Sequence, residues 1–184
     1  MLIDREPRAI EPLPAAYHAL LTRALDAAEP DERVRGLWLA GSLARGVADA
    51  GSDLDLIVAI RDYDFDAFAA GWRDWLSAIT PVLLAKPIPN SNLIFSALTE
   101  ACCRIDGVLE PASRTPTSFS RYRTPVLDRD GLTALVPAPA ERCRPGGDRW
   151  RRWHVAHAPR RQRHGVHHRP DGLSAAQVRA ASNR

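Results

Sequence analysis

The sequence predicts an α+β fold, an α/β sandwich in which helices flank a mixed central sheet. Apolar residues recur at helical spacing in two segments, and short apolar runs bounded by charge or glycine lie between and after them. The order is helix, strand, helix, strand, helix and then mostly strands. This order favours a mixed sheet over a long parallel array.

The first half of the chain supplies the helices. Apolar positions predict an amphipathic helix over residues 13–28, which ends before Pro30. Residues 34–40 predict a buried strand, residues 41–48 a turn with one or two helical turns, and residues 54–60 a second strand. A helix is predicted over residues 63–78, and its aromatic stripe is expected to pack in the core rather than to bind a ligand: Phe65, Phe68, Trp72, Trp75 and Leu76.

The second half supplies further strands. Residues 81–88 predict a third strand, and residues 92–98 and 102–110 predict two more that pair as antiparallel neighbours. Residues 125–135 predict a short final strand or a hairpin around Asp130-Gly131.

Charge divides the chain near residue 140. Residues 1–140 contain 14 Lys+Arg and 19 Asp+Glu, whereas residues 141–184 contain 11 Arg and only 3 Asp+Glu. Five of the six histidines also lie in the second stretch, where apolar periodicity is lost. Residues 141–184 are therefore expected to form an Arg/His-rich, mostly disordered tail.

Composition excludes several functional classes. The three cysteines form neither a disulfide framework nor a Cys-x-x-Cys metal site, and we found no signal peptide or apolar run of 18 residues. We therefore expect a cytoplasmic protein with no membrane partner. The basic residues are 24 Arg and one Lys, which fits a GC-rich coding sequence better than nucleic-acid binding.

Residues 41–55 contain the main candidate functional residues. Gly41-Ser42 follows the first buried strand, and Asp53-Leu54-Asp55 opens the second. Because side chains alternate along a strand, the two aspartates point to the same face. Paired carboxylates repel each other, and Mg²⁺, which prefers hard oxygen ligands, relieves that repulsion. The Gly-Ser turn can expose backbone N–H groups and a hydroxyl to the phosphates of a nucleotide.

The Gly-Ser turn and the Asp-Leu-Asp strand together are more specific to one protein family than either motif alone. Gly-Ser after an apolar strand, then ten residues, then Asp-Leu-Asp-Leu resembles the nucleotidyltransferase superfamily typified by DNA polymerase β. The short Ala44-Arg45-Gly46 insert and the chain length resemble its minimal and aminoglycoside members. The resemblance implies a polymerase β-like domain over residues 1–140. It also implies that Gly41, Ser42, Arg45 and Ser52 bind an NTP, with ATP the expected nucleotide.

The resemblance also implies a third carboxylate on a later strand. Asp106 is the best match and Glu110 the second candidate, since both have the same side-chain parity. Asp106 departs from the family pattern because Gly107 follows it. Asp53, Asp55 and Asp106 would be the catalytic residues and Mg²⁺ ligands, and Asp106 would serve as a ligand or as general base. The implied reaction is attack of an acceptor oxygen on the α-phosphate with release of pyrophosphate, assisted by two metal ions.

Two functions stay open at this stage. One is an enzyme that transfers a nucleotidyl group to a hydroxyl of a small, aminoglycoside-like molecule or of a protein. The other is a non-catalytic nucleotide-binding or antitoxin-like module of a toxin–antitoxin pair.

The tail likewise allows several interpretations. Its arginines with Trp150 and Trp153 could bind RNA, or its composition could reflect a shifted reading frame that replaced a helical acceptor domain.

Overall fold

The computed structural model describes residues 1–88 and 93–138. The chain divides into two units, Met1–Glu141 and Arg142–Arg184, and the described residues all belong to the first. The predictions for the tail, which concern residues 141–184, lie outside the described residues.

Seven strands form one sheet in the described part of the chain, and this sheet is mixed, as the sequence predicts. The short first strand was not predicted. The strands are β1 (Leu2–Ile3), β2 (Val34–Leu39), β3 (Leu54–Ile60), β4 (Val82–Ile88), β5 (Leu93–Thr99), β6 (Arg104–Pro111) and β7 (Thr124–Asp128). Their spatial order is β1-β7-β2-β3-β6-β5-β4. The β3–β6 pair is parallel and the other neighbouring pairs are antiparallel.

Four α-helices accompany the sheet: α1 (Ala15–Ala28), α2 (Gly41–Ala44), α3 (Phe65–Ala70) and α4 (Trp72–Ile79). The single helix predicted over residues 63–78 is divided in two. Gly71 ends α3, its backbone N–H donates to the carbonyls of Ala67 and Phe68, and α4 begins at the next residue. Glycine has weak helix propensity, which explains the break.

The larger core lies on the sheet face that carries the helices. It joins the apolar side of α1 to Phe68, Trp72 and Leu76, which confirms that most of the predicted aromatic stripe packs in the core. The Tyr17 hydroxyl of α1 accepts a hydrogen bond from the backbone N–H of Arg104 at 3.2 Å. This bond ties the start of β6 to the helical layer.

The opposite face carries a smaller apolar cluster. Trp38, Ile57, Ala59 and Leu132 are buried there, and the Trp38 indole N–H donates to Thr133 at 2.8 Å. Leu132 and Thr133 belong to a 3₁₀ helix, Leu132–Leu135, that follows β7. The segment 125–135 is therefore a strand followed by a 3₁₀ helix, and β7 pairs with β1 and β2 instead of forming a hairpin.

Gly107 leaves room for an aromatic ring. Its antiparallel partner on β5 is Phe95, and a Cβ at position 107 would lie 2.2 Å from the Phe95 ring. The ring also stacks on Trp72, with 4.6 Å between the ring centroids. The glycine after Asp106 is thus explained by packing on the helical face.

We predict that Gly107→Ala destabilises the protein by about 1–3 kcal/mol, the usual cost of overpacking a core. The stacked Phe95 ring would have to shift to admit the methyl group. Urea unfolding measures the change, and Gly71→Ala is the control because its Cβ would lie 3.6 Å from the nearest atom. Phe95→Leu should restore part of the loss in the Gly107→Ala background. A Gly107→Ala protein as stable as the Gly71→Ala protein would contradict the prediction.

Candidate active site

The carboxylates lie at the start of β3 and β6, on the face opposite the main helical layer. Asp55 and Asp106 are register partners in the parallel β3–β6 pair, and Asp53 immediately precedes β3. Glu110 is the register partner of Ala59, which lies four residues along β3 from Asp55. Sequence parity placed the two β3-side carboxylates on one face, and the pairing of β3 with β6 brings Asp106 to them.

Arg104 joins two of these carboxylates. Its Nε and Nη2 donate to the two oxygens of Asp106 at 3.2 and 2.8 Å, and its Nη1 lies 3.2 Å from Asp53 Oδ2. Two parallel N–H···O bonds of this kind form the strongest arginine–carboxylate geometry. Sequence analysis missed Arg104. The available signal was its position two residues before Asp106, which gives it the same strand face.

Burial and mutual repulsion raise the pKa values of two of the carboxylates. Burial, reinforced by the negative charges of Asp106 and Asp53, raises the pKa of Asp55 to about 6, against the opposing pull of Arg45 and Arg104. Burial also raises the pKa of Asp53, where Arg104 acts in the opposite direction and Asp106 in the same one. The site therefore concentrates negative charge that its own arginines neutralise only in part.

Gly41 brings the Gly-Ser turn against Asp55. Its φ is +56°, and a Cβ there would lie 1.8 Å from Asp55 Oδ2, so both backbone conformation and contact require glycine. The Ala40 N–H donates to the Asp55 carbonyl at 2.9 Å, which fastens the turn to β3. Ser42 follows within α2, so the turn and the carboxylates share one location.

The other two predicted nucleotide-binding residues flank this turn. Arg45 caps the C-terminal end of α2 and acts electrostatically on Asp55. The Ser52 hydroxyl donates to Asp49 Oδ1 at 3.0 Å and accepts from the Asp49 N–H at 3.0 Å. Ser52 thus stabilises the turn that delivers Asp53 to the site.

Glu110 is buried away from the carboxylates. It is fully buried and pairs with Arg123, which is 1% exposed, at 2.8 Å. The Arg123 guanidinium also lies over the Trp38 ring, 5.1 Å from its centroid. Glu110 therefore forms a buried ion pair with an arginine of the segment that follows β6.

Metal-binding geometry is incomplete in this arrangement. Within residues 1–88 and 93–138, no group of three or more His, Cys, Asp or Glu side chains is placed so that it could hold a metal ion. The donor chemistry nonetheless fits a hard divalent cation, because carboxylate oxygens are hard ligands and three carboxylates act electrostatically on the same arginine. In this arrangement Arg104 is paired with Asp53 and Asp106.

Comparison with known families supports the resemblance found in the sequence. Residues 21–89 match the family model described as a nucleotidyltransferase domain. The matched range contains the Gly41-Ser42 turn and the Asp53-Leu54-Asp55 strand, and Asp106 lies beyond it. The predicted resemblance to the nucleotidyltransferase superfamily is confirmed over this range.

Solved structures of nucleotidyltransferases also match. An aminoglycoside 6-adenyltransferase from Bacillus subtilis has a TM-score of 0.40 and 18% identity, over 52% of this chain and 35% of that one. The Cid1 poly(U) polymerase has a TM-score of 0.40 and 20% identity, over 55% and 31%. A cytoplasmic RNA terminal U-transferase has a TM-score of 0.35 and 25% identity, over 50% and 27%.

The chain thus spans about a third of the length of these structures. A search of curated protein sequences finds no match. No helix in the described part of the chain is long and apolar enough to cross a membrane.

We predict that Asp55→Asn stabilises the metal-free protein at pH 7 by about 1–3 kcal/mol. The folded-state pKa of about 6 lies above the unfolded value, so between these values the native state retains a proton that the unfolded chain has released, and at pH 7 the folded state carries the full cost of the buried charge. Wild-type stability should therefore fall relative to Asp55→Asn as pH rises from about 4 to 6, then level off. Melting curves between pH 4 and 8 measure this, with the exposed Glu11→Gln as control. Parallel pH profiles for wild type and Asp55→Asn would contradict the prediction.

We predict that Arg123→Met costs about 3–5 kcal/mol of unfolding free energy, because it leaves the Glu110 charge buried without a partner. The double variant Glu110→Leu/Arg123→Met should recover most of the loss, since no charge then remains in the core. Urea denaturation measures both, and Arg35→Met, which breaks the more exposed pair with Asp130, is the matched control. Equal small losses for Arg123→Met and Arg35→Met would show that Glu110 is not held as a buried ion.

Proposed function

We propose that this protein is a Mg²⁺-dependent nucleotidyltransferase that transfers a nucleoside monophosphate from an NTP to an acceptor hydroxyl and releases pyrophosphate. The observation that carries the proposal is the placement of Asp53, Asp55 and Asp106 around one arginine, directly beside the Gly41-Ser42 turn. A nucleotidyltransferase needs negative oxygen ligands and a phosphate-binding turn at the same point, and this arrangement supplies both.

The nucleotide would lie over the Gly41-Ser42 turn. Glycine at position 41 brings the backbone to within contact of Asp55, so phosphates bound at the turn would lie next to the carboxylates. The Ser42 hydroxyl would donate to a phosphate oxygen, and the positive charge of Arg45 would favour the same anion. Ser52 would contribute through the turn that it stabilises before Asp53. ATP is the nucleotide we favour.

Asp53, Asp55 and Asp106 would hold the divalent cation. When bound, it would supply stabilisation of the negative charge that develops on the reacting phosphate. Burial and the repulsion from Asp106 and Asp53, which together raise the pKa of Asp55, are the physical reason these residues would favour a cation. Glu110, paired with Arg123 inside the protein, would take no part.

Asp106 would take part in the proposed transfer step. The acceptor oxygen forms a bond to the α-phosphorus as the bond from the α-phosphorus to the bridging oxygen breaks, and pyrophosphate leaves. The hydroxyl proton passes to the Asp106 carboxylate when that residue serves as general base, or to solvent when it serves as a ligand. Its side chain is 27% exposed, so an acceptor arriving from solvent would reach it.

We further propose that the acceptor is a small aminoglycoside-like molecule or a protein hydroxyl. This assignment is supported by the resemblance of the motif region to minimal and aminoglycoside nucleotidyltransferases, including the short Ala44-Arg45-Gly46 insert.

We predict that Mg²⁺ with an NTP raises the melting temperature of wild type, because a ligand that binds only the native state stabilises it. Asp53→Asn and Asp55→Asn should each abolish this shift while melting no lower than wild type without ligand. Thermal denaturation with each of the four NTPs measures the effect. Glu110→Gln is not a suitable control, because Glu110 forms a buried ion pair with Arg123. Glu11→Gln, an exposed carboxyl outside the site, should retain the full shift.

Transfer is then tested with NTP labelled at the α-phosphate. Wild type should move label to an acceptor in a panel of amino sugars, other hydroxylated small molecules and proteins, including the protein itself. A shift with Mg·NTP and no labelled product would favour the non-catalytic nucleotide-binding module. Indifference of wild type to Mg·NTP for all four nucleotides would defeat both functions.

A further inference from the structure

Arg104 stands among the carboxylates that the proposed function assigns to a cation. Three of its guanidinium nitrogens are directed at Asp53 and Asp106, at distances of 2.8 to 3.2 Å. Both oxygens of Asp106 are engaged. The positive charge of Arg104 also lowers the pKa of Asp55, although burial and repulsion from the other carboxylates have the larger, opposite effect.

The Arg104 guanidinium and a divalent cation cannot both bind Asp53 and Asp106 strongly at the same time. Each is positive, and a cation bound to Asp53 and Asp106 would lie within a few ångströms of the Arg104 nitrogens, where like charges repel. The same oxygens that would bind the cation already accept hydrogen bonds from Arg104.

Arg104 also has room to leave. Its side chain is 47% exposed, and Asp53 and Asp106 are 34% and 27% exposed. Ion pairs with this much exposure contribute little to stability, because water and salt screen them. The backbone of Arg104 stays fastened to α1 through Tyr17, so the side chain can move without displacing β6.

We infer that Arg104 is a positioning residue that acts as the counter-ion of the metal-free site and competes with the divalent cation for Asp53 and Asp106. The inference rests on the proposed function, because it requires that these carboxylates bind a cation. Without metal, Arg104 holds Asp53 and Asp106 together against their repulsion. When the cation binds, the Arg104 side chain releases both carboxylates.

Mn²⁺ alone, without nucleotide, tests the competition. Free Mn²⁺ can be counted by electron paramagnetic resonance during titration of wild type, Arg104→Met, Arg104→Lys and Arg5→Met. Arg5 is the matched control because it also bridges two carboxylates, Asp26 and Glu29, and is 49% exposed, but it lies outside the site. A merely structural arginine would not tighten metal binding when it is removed.

The expected result is a Kd for Mn²⁺ roughly tenfold lower in Arg104→Met than in wild type, the change that corresponds to about 1.4 kcal/mol. Arg104→Lys should fall between the two, because lysine keeps the charge but not the forked geometry. Arg5→Met should match wild type. At low ionic strength without metal, Arg104→Met should also melt below wild type, since the carboxylates lose their counter-ion.

Asp55→Asn separates the two possible failures. If wild type and Arg104→Met bind Mn²⁺ equally, and Asp55→Asn weakens binding in both backgrounds, the metal site stands and the competition is refuted. Weaker binding by a folded Arg104→Met protein would refute the competition as well. If no protein binds Mn²⁺, or if Asp55→Asn changes nothing, the metal site of the proposed function fails and the competition fails with it.

Discussion

Repulsion among carboxylates at the start of β3 and β6 is the constraint on which the site depends. The parallel pairing of these strands sets Asp55 beside Asp106, and the loop before β3 adds Asp53. Negative charges this close stay ionised only when cations compensate them. Arg104 supplies part of that compensation within the chain. Burial, reinforced by the charges of Asp106 and Asp53, nevertheless raises the pKa of Asp55.

The architecture around the carboxylates serves both packing and access. The helices cover one face of the sheet and bury most of the core there, so the other face is left to carry polar groups. On that second face, Trp38 and Leu132 form a smaller cluster along the middle of the strands. Gly41 and Gly107 allow close contacts on opposite faces, the first with Asp55 and the second with Phe95. Each glycine thus stands where a side chain would displace a neighbour.

Two acidic residues of β6 with the same parity have different environments. Asp106 lies at the exposed start of the strand and meets an arginine that solvent also reaches. Glu110 lies four residues further along, where it is buried and paired with Arg123 inside the protein. Position along the strand, rather than residue type, therefore separates a partly exposed carboxylate from one buried in an ion pair.

Local patterns in the sequence were sufficient to predict the mixed sheet, the main helices and the common face of Asp53 and Asp55. Helical and strand periodicity act over a few residues, so they can be recognised before any tertiary contact is known. They were insufficient where local preference and packing competed. The helix over residues 63–78 is broken at Gly71, and β1 has only two residues, Leu2 and Ile3, too few to show alternation. The strand β7 pairs with β1 and β2 because its partners come from distant parts of the chain.

The sequence by itself determined the nucleotidyltransferase motif, because Gly41-Ser42 and Asp53-Leu54-Asp55 are short patterns whose spacing and side-chain parity need no distant partner. Only the tertiary structure decided that Asp106 stands beside Asp55 while Glu110 is enclosed with Arg123, and that Arg104 bridges Asp53 and Asp106. The physical reason is that the contacts between the β3 and β6 carboxylates join segments about 50 residues apart, and the Glu110–Arg123 pair depends on how the chain folds back after β6. Their register follows from hydrogen bonding across the sheet and from core packing on its helical face, neither of which is encoded in the spacing of neighbouring residues.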